Sequence, residues 1–271
     1  MCQTLKVSRG GYYAWLNRPV SQHTVINKEI LDRIKKIHTE SKCLYGSPRV
    51  TDTLREEGFQ VSRPRVARLM REHGIRAKTV RKFKVTTQSD HHFPISPNLL
   101  CQDFKSEAFG KVWTSDITYI KTTEGWLYLT VILDLYNRQV VGWSMSSGLT
   151  APQTVIPALE MAFNRYRPLP DLIFHSDRGV QYACEEFRAK LSEYQFIQSM
   201  SSIGNCYDNA VSESVFSTLK KEHVYHCLYK TRFDAKQSIF NYIEVFYNRI
   251  RKHSTLGYLS PVQFRRPKMA A

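Results

Sequence analysis

The sequence predicts an α/β chain in which a mixed five-stranded sheet with flanking helices follows a small all-helical unit. Two patterns predict the sheet. Runs rich in β-branched and aromatic residues at about 112 to 120, 126 to 134 and 138 to 146 are joined by turns at Glu124-Gly125 and Tyr136-Asn137-Arg138, so the three strands are antiparallel neighbours. A helix at about 152 to 166, a strand at 171 to 176, a helix at 184 to 193 and a strand at 195 to 200 then alternate, the order of a sheet covered by helices. A third pattern, capped helices in the first 75 residues, predicts the helical unit.

Taken in order, residues 4 to 16 resemble the second helix of a helix-turn-helix with Ser8 as its cap, the first helix missing or clipped. Ile26, Ile30, Ile34 and Ile37 recur at helical spacing, so residues 26 to 39 form an amphipathic helix whose other face carries Lys28, Arg33, Lys35 and Lys36. Ser47-Pro48 supplies a cap and a first-turn proline for a second helix ending near Gly58. Ser62, Pro64 and Gly74 bracket a third, with Val66, Leu69 and Met70 toward its core. Three short helices in this space fit a small helix-turn-helix domain. The third carries Arg63, Arg65, Arg68 and Arg71, spaced to lie along a DNA groove; the plain alternative is a solvated basic face, and the scarcity of balancing acids favours DNA.

Charge separates the two regions. The chain of 271 residues has a formal net charge of +15, and 19 Lys and Arg against 8 Asp and Glu fall in the first 100 residues. A basic leading region points to a polyanion, most commonly nucleic acid. Arg76 to Lys84, including Arg81, Lys82 and Lys84, opens an aperiodic linker suited to a DNA backbone. No apolar run approaches a spanning helix and the start lacks a signal-peptide core, so a cytoplasmic protein without membrane association is expected. The six cysteines show neither paired nor dense spacing and read as reduced thiols rather than a zinc site, although His223 and His226 stand near Cys227.

Three carboxylates hold positions of interest. Asp116 lies mid-strand in Trp113-Thr114-Ser115-Asp116-Ile117-Thr118-Tyr119-Ile120, and Asp177 ends the strand Leu172-Ile173-Phe174-His175-Ser176. Glu213 lies 35 intervening residues further on, on a helix whose cap is expected at Asp208 and whose buried stripe is Val211, Val215 and Leu219. Lys220 returns to nearly the same side two turns later. A lone helical Glu is ordinarily solvated surface; two strand aspartates upstream change that reading. Hard carboxylate oxygens suit Mg²⁺, and two such ions can assist attack on a phosphodiester.

This D,D-35-E arrangement resembles the transposases and retroviral integrases with a ribonuclease H-like core. The motifs W-T-S-D-I-T-Y-I, E-G-W-L-Y-L, H-S-D-R-G-V-Q-Y, S-M-S-S-I-G-N-C-Y-D-N-A and Y-N-R-I-R-K-H-S-T-L-G-Y-L-S-P, in that order, resemble the OrfB product of the insertion-sequence-three family of bacterial transposons. The resemblance implies adjacent first and fourth strands. It also implies catalysis by Asp116, Asp177 and Glu213 with two Mg²⁺ ions, Mn²⁺ being a substitute, and Asp116 shared between them. Cleavage at the terminal inverted repeats of double-stranded DNA, 3′-hydroxyl transfer through a circular intermediate, and a homo-oligomer on paired ends belong to the same expectation. So does joining to an upstream OrfA by frameshift, and a bacterial, nucleoid-associated setting.

Lys220 is then expected at substrate phosphate, with Asn205, Tyr207 and Asn209 positioning the DNA end; loop hydrogen bonding or packing is the plain alternative for these three. His175 and Arg178 would orient Asp177 or touch DNA, His175 rather supporting Asp177 from behind or packing, and Arg249 and Arg251 are candidates for either DNA contact or packing. Among competing acids, Glu222 fits the spacing poorly and Asp134 reads as structural. Thr231 to Asp234 opens a long last helix with Phe233, Ile239, Phe240, Ile243, Phe246 and Tyr247 on its apolar face. The resulting divisions are a partial helix-turn-helix or arm at 1–25, a helix-turn-helix domain at 26–75, a basic linker at 76–98, a catalytic core at 99–225 and a helical extension packed on it at 226–271. A non-catalytic repressor that occupies transposon ends shares the basic region and is the competing class; a ribonuclease fits the carboxylate pattern poorly.

Overall fold

The computed structural model describes residues 6–19, 21–78, 93–202 and 206–266 together with Cys2 and Thr4, with Cys206 and Tyr207 described in backbone only, and the chain divides into two compact units, Met1–Lys78 and Thr79–Ala271.

In the first unit, α1 spans Arg9–Leu16 behind Ser8, whose hydroxyl accepts from the Gly11 amide at 3.0 Å, and none of its residues is buried. Helix α2 runs over Gln22–Glu40, capped by Ser21, and buries Ile30, Leu31, Ile34 and Ile37. Ile26 was expected in that stripe and is exposed, since no residue of α2 before Ile30 is buried. Helix α3, Ser47–Glu56, is capped by Gly46, which places Ser47 and Pro48 inside the first turn rather than Ser47 at the cap. Helix α4, Arg63–Glu72, begins at Ser62 as expected and turns Val66, Leu69 and Met70 inward. Gly58 and Gly74 end α3 and α4 at φ of 90° and 66°, a left-handed region that penalises any side chain. Ile34, Val50, Leu54 and Val66 are inaccessible at the centre of this unit.

In the second unit, β1 (Val112–Thr122), β2 (Gly125–Asp134) and β3 (Val140–Ser146) form the antiparallel meander, and β4 (Ile173–Ser176) and β5 (Ile197–Met200) add in parallel, giving the order β3-β2-β1-β4-β5. Trp113, Val141 and Phe174 pack one face against α5 (Val155–Tyr166) and α7 (Glu185–Glu193), with the short α6 (Val180–Ala183) ahead of α7. Gly142 permits the closest contact, since a Cβ there would meet the Ala158 carbonyl oxygen at 2.3 Å. Helix α8, Ala210–Glu222, follows a 3₁₀ turn at Cys206–Asn209 and lies against β1.

The last segment contains α9 (Arg232–Phe240), a π-helical stretch (Asn241–Tyr247) and α10 (Pro261–Arg265). It buries Ile239, Tyr242, Ile243, Phe246 and Tyr247 but leaves Phe233 and Phe240 at 65% and 44% exposure. Ile243, Phe246 and Tyr247 lie inside the π-helical stretch and are buried as expected, whereas Phe233, near the start of α9, is left to solvent and Phe240 is covered on one side, edge-on to Trp143 at 5.9 Å. Asn248 fastens the segment, its side chain accepting from the Val140 amide and donating to the Val140 carbonyl, both at 3.0 Å.

Candidate active site

Asp116 and Asp177 meet because β1 and β4 are parallel neighbours. Thr114 pairs with His175, so two residues further along each chain the same register brings the two aspartates to the carboxyl end of β4. Asp116 Oδ1 accepts from the Ile117 amide at 2.7 Å and Asp177 Oδ1 from the Gly179 amide at 3.0 Å. By strand alternation Thr114 shares a face with Asp116, and its hydroxyl is 2.8 Å from the Ser212 hydroxyl in the first turn of α8. The residue after Ser212 is Glu213, an exposed side chain on that same turn.

The three carboxylates lie in one another's fields. Asp116 is crowded by protein on most sides, although part of its surface stays accessible. That burial, the charge of Asp177 and then that of Glu213 hold its carboxyl well above the usual range, against the Ile117 amide and the Lys220 charge. Glu213 is raised by burial and by Asp177. Lys220 is lowered by burial, with the charge of Asp116 opposing the change, so its ammonium overlooks the same acids. Among the described residues no three Asp, Glu, His or Cys side chains converge tightly enough to hold an ion as they stand. The donor set nonetheless fits a hard cation: oxygen ligands, like charges raised by each other, and one lysine facing them.

Supporting groups occupy the same end of the sheet. His175 is buried with Nδ1 2.9 Å from the Ser199 hydroxyl and Nε2 2.9 Å from the Asp208 carbonyl, and burial lowers its pKa, so it links β4 and β5 to the turn before α8. Arg178 Nε donates to the Ser201 carbonyl at 2.6 Å. Tyr182, buried beneath the strand ends, lies 2.8 Å from the Ser115 hydroxyl.

Several expectations need correction. Asp208 does not cap α8, whose cap is Asn209 without a side-chain bond; Asp208 instead accepts from the Ser202 amide at 2.8 Å and the Asn98 amide group at 2.9 Å. Asn209, expected at DNA, is buried with its Oδ1 3.3 Å from the Thr114 hydroxyl. Arg251, also a DNA candidate, is buried and grips Glu222 through two bonds of 2.8 Å, so packing accounts for it. Arg65 is partly enclosed and donates to Asn27 at 2.9 Å, whereas Arg63, Arg68 and Arg71 are exposed along α4 and Arg249 is exposed near the last helices. Asp134 is fully buried and accepts from Gly110, Tyr136 and Trp113, the structural role expected of it. Arg81, Lys82, Lys84, Asn205 and the side chain of Tyr207 lie outside the described residues. Thr114 and Ser212 were missed; the two-residue spacing of Thr114 from Asp116 was the available signal.

A sheet of this order, with one acid in the middle of β1, one just past the end of β4 and one on the helix packed against β1, defines an integrase-type core. The integrase core domain model matches residues 107–206 and a second model of that description matches 213–269, while an HTH-like domain matches 26–83. The chain is 43% identical over 265 residues to the insertion element IS600 uncharacterized 31 kDa protein of Shigella sonnei, covering 98% of this chain and 97% of that one. It is 42% identical over 272 residues to the transposase InsF for insertion sequence IS3A of Escherichia coli strain K12, covering 100% and 94%. The chain therefore belongs to the IS3 family of insertion-sequence transposases. In fold alone, a chain of the simian T-cell lymphotropic virus intasome in complex with PP2A regulatory subunit B56 gamma aligns at a TM-score of 0.51 and 15% identity, over 88% of this chain and 76% of that one. No described helix is long and apolar enough to cross a membrane.

Proposed function

We propose that this chain cleaves one DNA strand at a transposon end and transfers the exposed 3′-hydroxyl to a second phosphodiester, with Asp116, Asp177 and Glu213 as its catalytic carboxylates. The observation that supports this most is the shared electrostatic neighbourhood of those three groups in a member of a transposase family. In the first step a water oxygen attacks phosphorus and the 3′-oxygen leaves; in the second the 3′-hydroxyl oxygen attacks a new phosphodiester and displaces its 3′-oxygen.

The three carboxylates would hold two Mg²⁺ ions, with Mn²⁺ as a substitute, which supply Lewis acidity for the attacking and leaving oxygens. The remaining tasks fall to the chain. Asp116 and Asp177 offer ligands held on adjacent strands, and Thr114 seats α8 so that Glu213 faces them. Lys220 offers its ammonium to the substrate phosphate on that side. Arg63, Arg68 and Arg71 on α4 supply charge for phosphates or guanine edges of the terminal inverted repeats. Action on paired ends as a homo-oligomer, and joining with an upstream OrfA, complete the reading.

The test uses purified protein, DNA carrying the element's flanking inverted repeats, and Mg²⁺. Strand joining is expected, and its loss in Asp116→Asn at equal DNA binding. Binding without cleavage by the wild-type chain, alone and joined to the upstream frame, contradicts the proposal and favours the repressor reading.

A further inference from the structure

The β1–β2 hairpin reaches past the carboxylates. Pairing of β1 with β4 covers Val112 to Thr114, whereas pairing with β2 continues to Thr122 opposite Gly125, and β4 ends at Ser176. Beyond Asp116 the β4-side edge of β1 therefore has no strand beside it among the described residues, and the hairpin carries that edge past the acids. On one face of this extension the cross-strand pairs Tyr119 with Tyr128 and Lys121 with Trp126 stand together. Ring centroids lie 5.2 Å apart for Tyr119 and Tyr128 and 6.2 Å for Tyr119 and Trp126, all edge-on. Trp126 is 51% exposed, Lys121 is exposed and both tyrosines are half-buried. The charges of Asp177 and Asp116 reach the Tyr119 hydroxyl and raise it, after the larger effects of burial and of Tyr128, so the cluster adjoins the acids electrostatically although its side chains alternate to the opposite face.

Cross-strand aromatic pairing alone stabilises a hairpin. That accounts for Tyr119 and Tyr128. It does not account for an indole left half outside with a lysine directly opposite it, a combination of ring face and cation that suits nucleotides. At about 3.3 Å per residue, Tyr119 and Lys121 lie about 10 and 17 Å beyond Asp116 along β1. A stacked strand rises about 3.4 Å per nucleotide, so these distances along β1 equal roughly three to five nucleotides from a phosphate at the acids.

We propose that Trp126, Tyr119 and Lys121 form a stacking site for unpaired bases of the DNA strand that flanks the phosphate held at Asp116 and Asp177. This rests on the strand-transfer reading for the position of that phosphate. Trp126 offers the accessible ring, Tyr119 backs it, and Lys121 takes a neighbouring phosphate.

The experiment measures binding of the full chain, without metal, to two probes of one sequence: a blunt duplex and the same duplex with a five-nucleotide single-stranded flank containing 2-aminopurine. The wild type is expected to prefer the flanked probe and quench its fluorescence. Trp126→Ala is expected to weaken flanked binding roughly tenfold, the scale of one lost base stack, and to leave blunt binding unchanged. Trp126→Phe retains most of the preference. Lys121→Gln, at an exposed site that folding does not need, lowers the salt slope on the flanked probe by about 0.7. The proposal is overturned if the wild type shows no flank preference, if Trp126→Ala weakens both probes equally, or if Trp126→Ala and Lys121→Gln together leave the flanked probe unaffected. Loss of self-association in Trp126→Ala with flank binding retained overturns it in favour of a second copy of the chain as occupant. Because the assay needs no catalysis, a flank preference in a chain that never joins strands removes the proposed function alone, and strand joining without a flank preference removes the stacking site alone.

Discussion

At the C-terminal end of α8, Glu222 receives two bonds of 2.8 Å from Arg251 and a third of 2.8 Å from the Tyr242 hydroxyl. In the first turn of the same helix, Glu213 is exposed, makes no ion pair among the described residues, and has Asp177 as its nearest charge influence. The two glutamates share a residue type and a helix, and they differ in what the fold brings to them. A carboxylate given a cation and donors has its charge answered internally and serves packing. One placed among other carboxylates is left without an internal counter-charge of its own, the kind of arrangement that clusters at functional sites. Asp134 and Asp116 repeat the contrast within the sheet: Asp134 accepts from Gly110, Tyr136 and Trp113, while Asp116 has the Ile117 amide and two acidic neighbours, with the Lys220 charge as the smallest influence on it.

The largest expected effect breaks the comparison at Glu213. Replacing it by Gln keeps the shape and removes the charge that a cation needs. Strand joining is expected to fall about a thousandfold, equivalent to about 4 kcal/mol of transition-state stabilisation, with unfolding free energy changed by less than about 0.5 kcal/mol. Joining within tenfold of wild type at equal DNA binding removes Glu213 from the site.

At Glu222 the expectation reverses. Arg251→Ala leaves a largely enclosed carboxylate without its cation, though still with the Tyr242 hydroxyl, and is expected to destabilise the second unit by about 3 kcal/mol in urea denaturation. Replacing both partners, Glu222→Leu with Arg251→Met, is expected to recover part of that loss, since no unpaired charge remains, although the buried Tyr242 hydroxyl loses its acceptor. If Arg251→Ala costs less than about 1 kcal/mol, on the scale of an exposed pair, Arg251 becomes available again as a DNA contact.

Asp134→Asn sharpens the same distinction inside the sheet. An amide can accept from only part of the donor set and turns its own N–H groups toward the others, so a loss of about 1–3 kcal/mol is expected. Strand joining per folded molecule is expected to stay near wild type, unlike that of Asp116→Asn, and the two variants assayed side by side under conditions where both are folded check it.

How much of this was readable beforehand follows the range of the interactions. The strands of the meander and the caps at Ser8 and Ser62 depend on near neighbours and were legible. So was the adjacency of Asp116 and Asp177, though through the family resemblance rather than through periodicity. The partnership of Arg251 with Glu222 spans 29 residues and joins two elements whose docking no local pattern reveals, which is why Arg251 stood open between DNA and packing. Phe233 and Phe240 misled because helical spacing was taken to put every aromatic on the packed face, while the fold leaves Phe233 to solvent and covers Phe240 only through its edge contact with Trp143. Asn209 misled because a polar loop residue was given to an external ligand, while the fold supplied Thr114 from a strand 95 positions away.

The smallest expected effect concerns what seats Glu213. Ser212 and Thr114 share a buried bond of 2.8 Å that ties the first turn of α8 to the strand bearing Asp116, and Asn209 approaches the same threonine hydroxyl at 3.3 Å. Ser212→Ala leaves Thr114 with Asn209 as a partner, so the loss in stability is expected to be only about 1 kcal/mol, the ordinary net value of one hydrogen bond. Loosening the turn by that amount leaves Glu213 able to face the aspartates, and strand joining is expected to fall by less than about tenfold, which corresponds to about 1.4 kcal/mol. Thr114→Val removes both contacts and is expected to cost more than Ser212→Ala in both measurements. Equal effects from the two would place the seat of α8 in its apolar packing through Val215 and Leu219 instead of in this pair of hydroxyls.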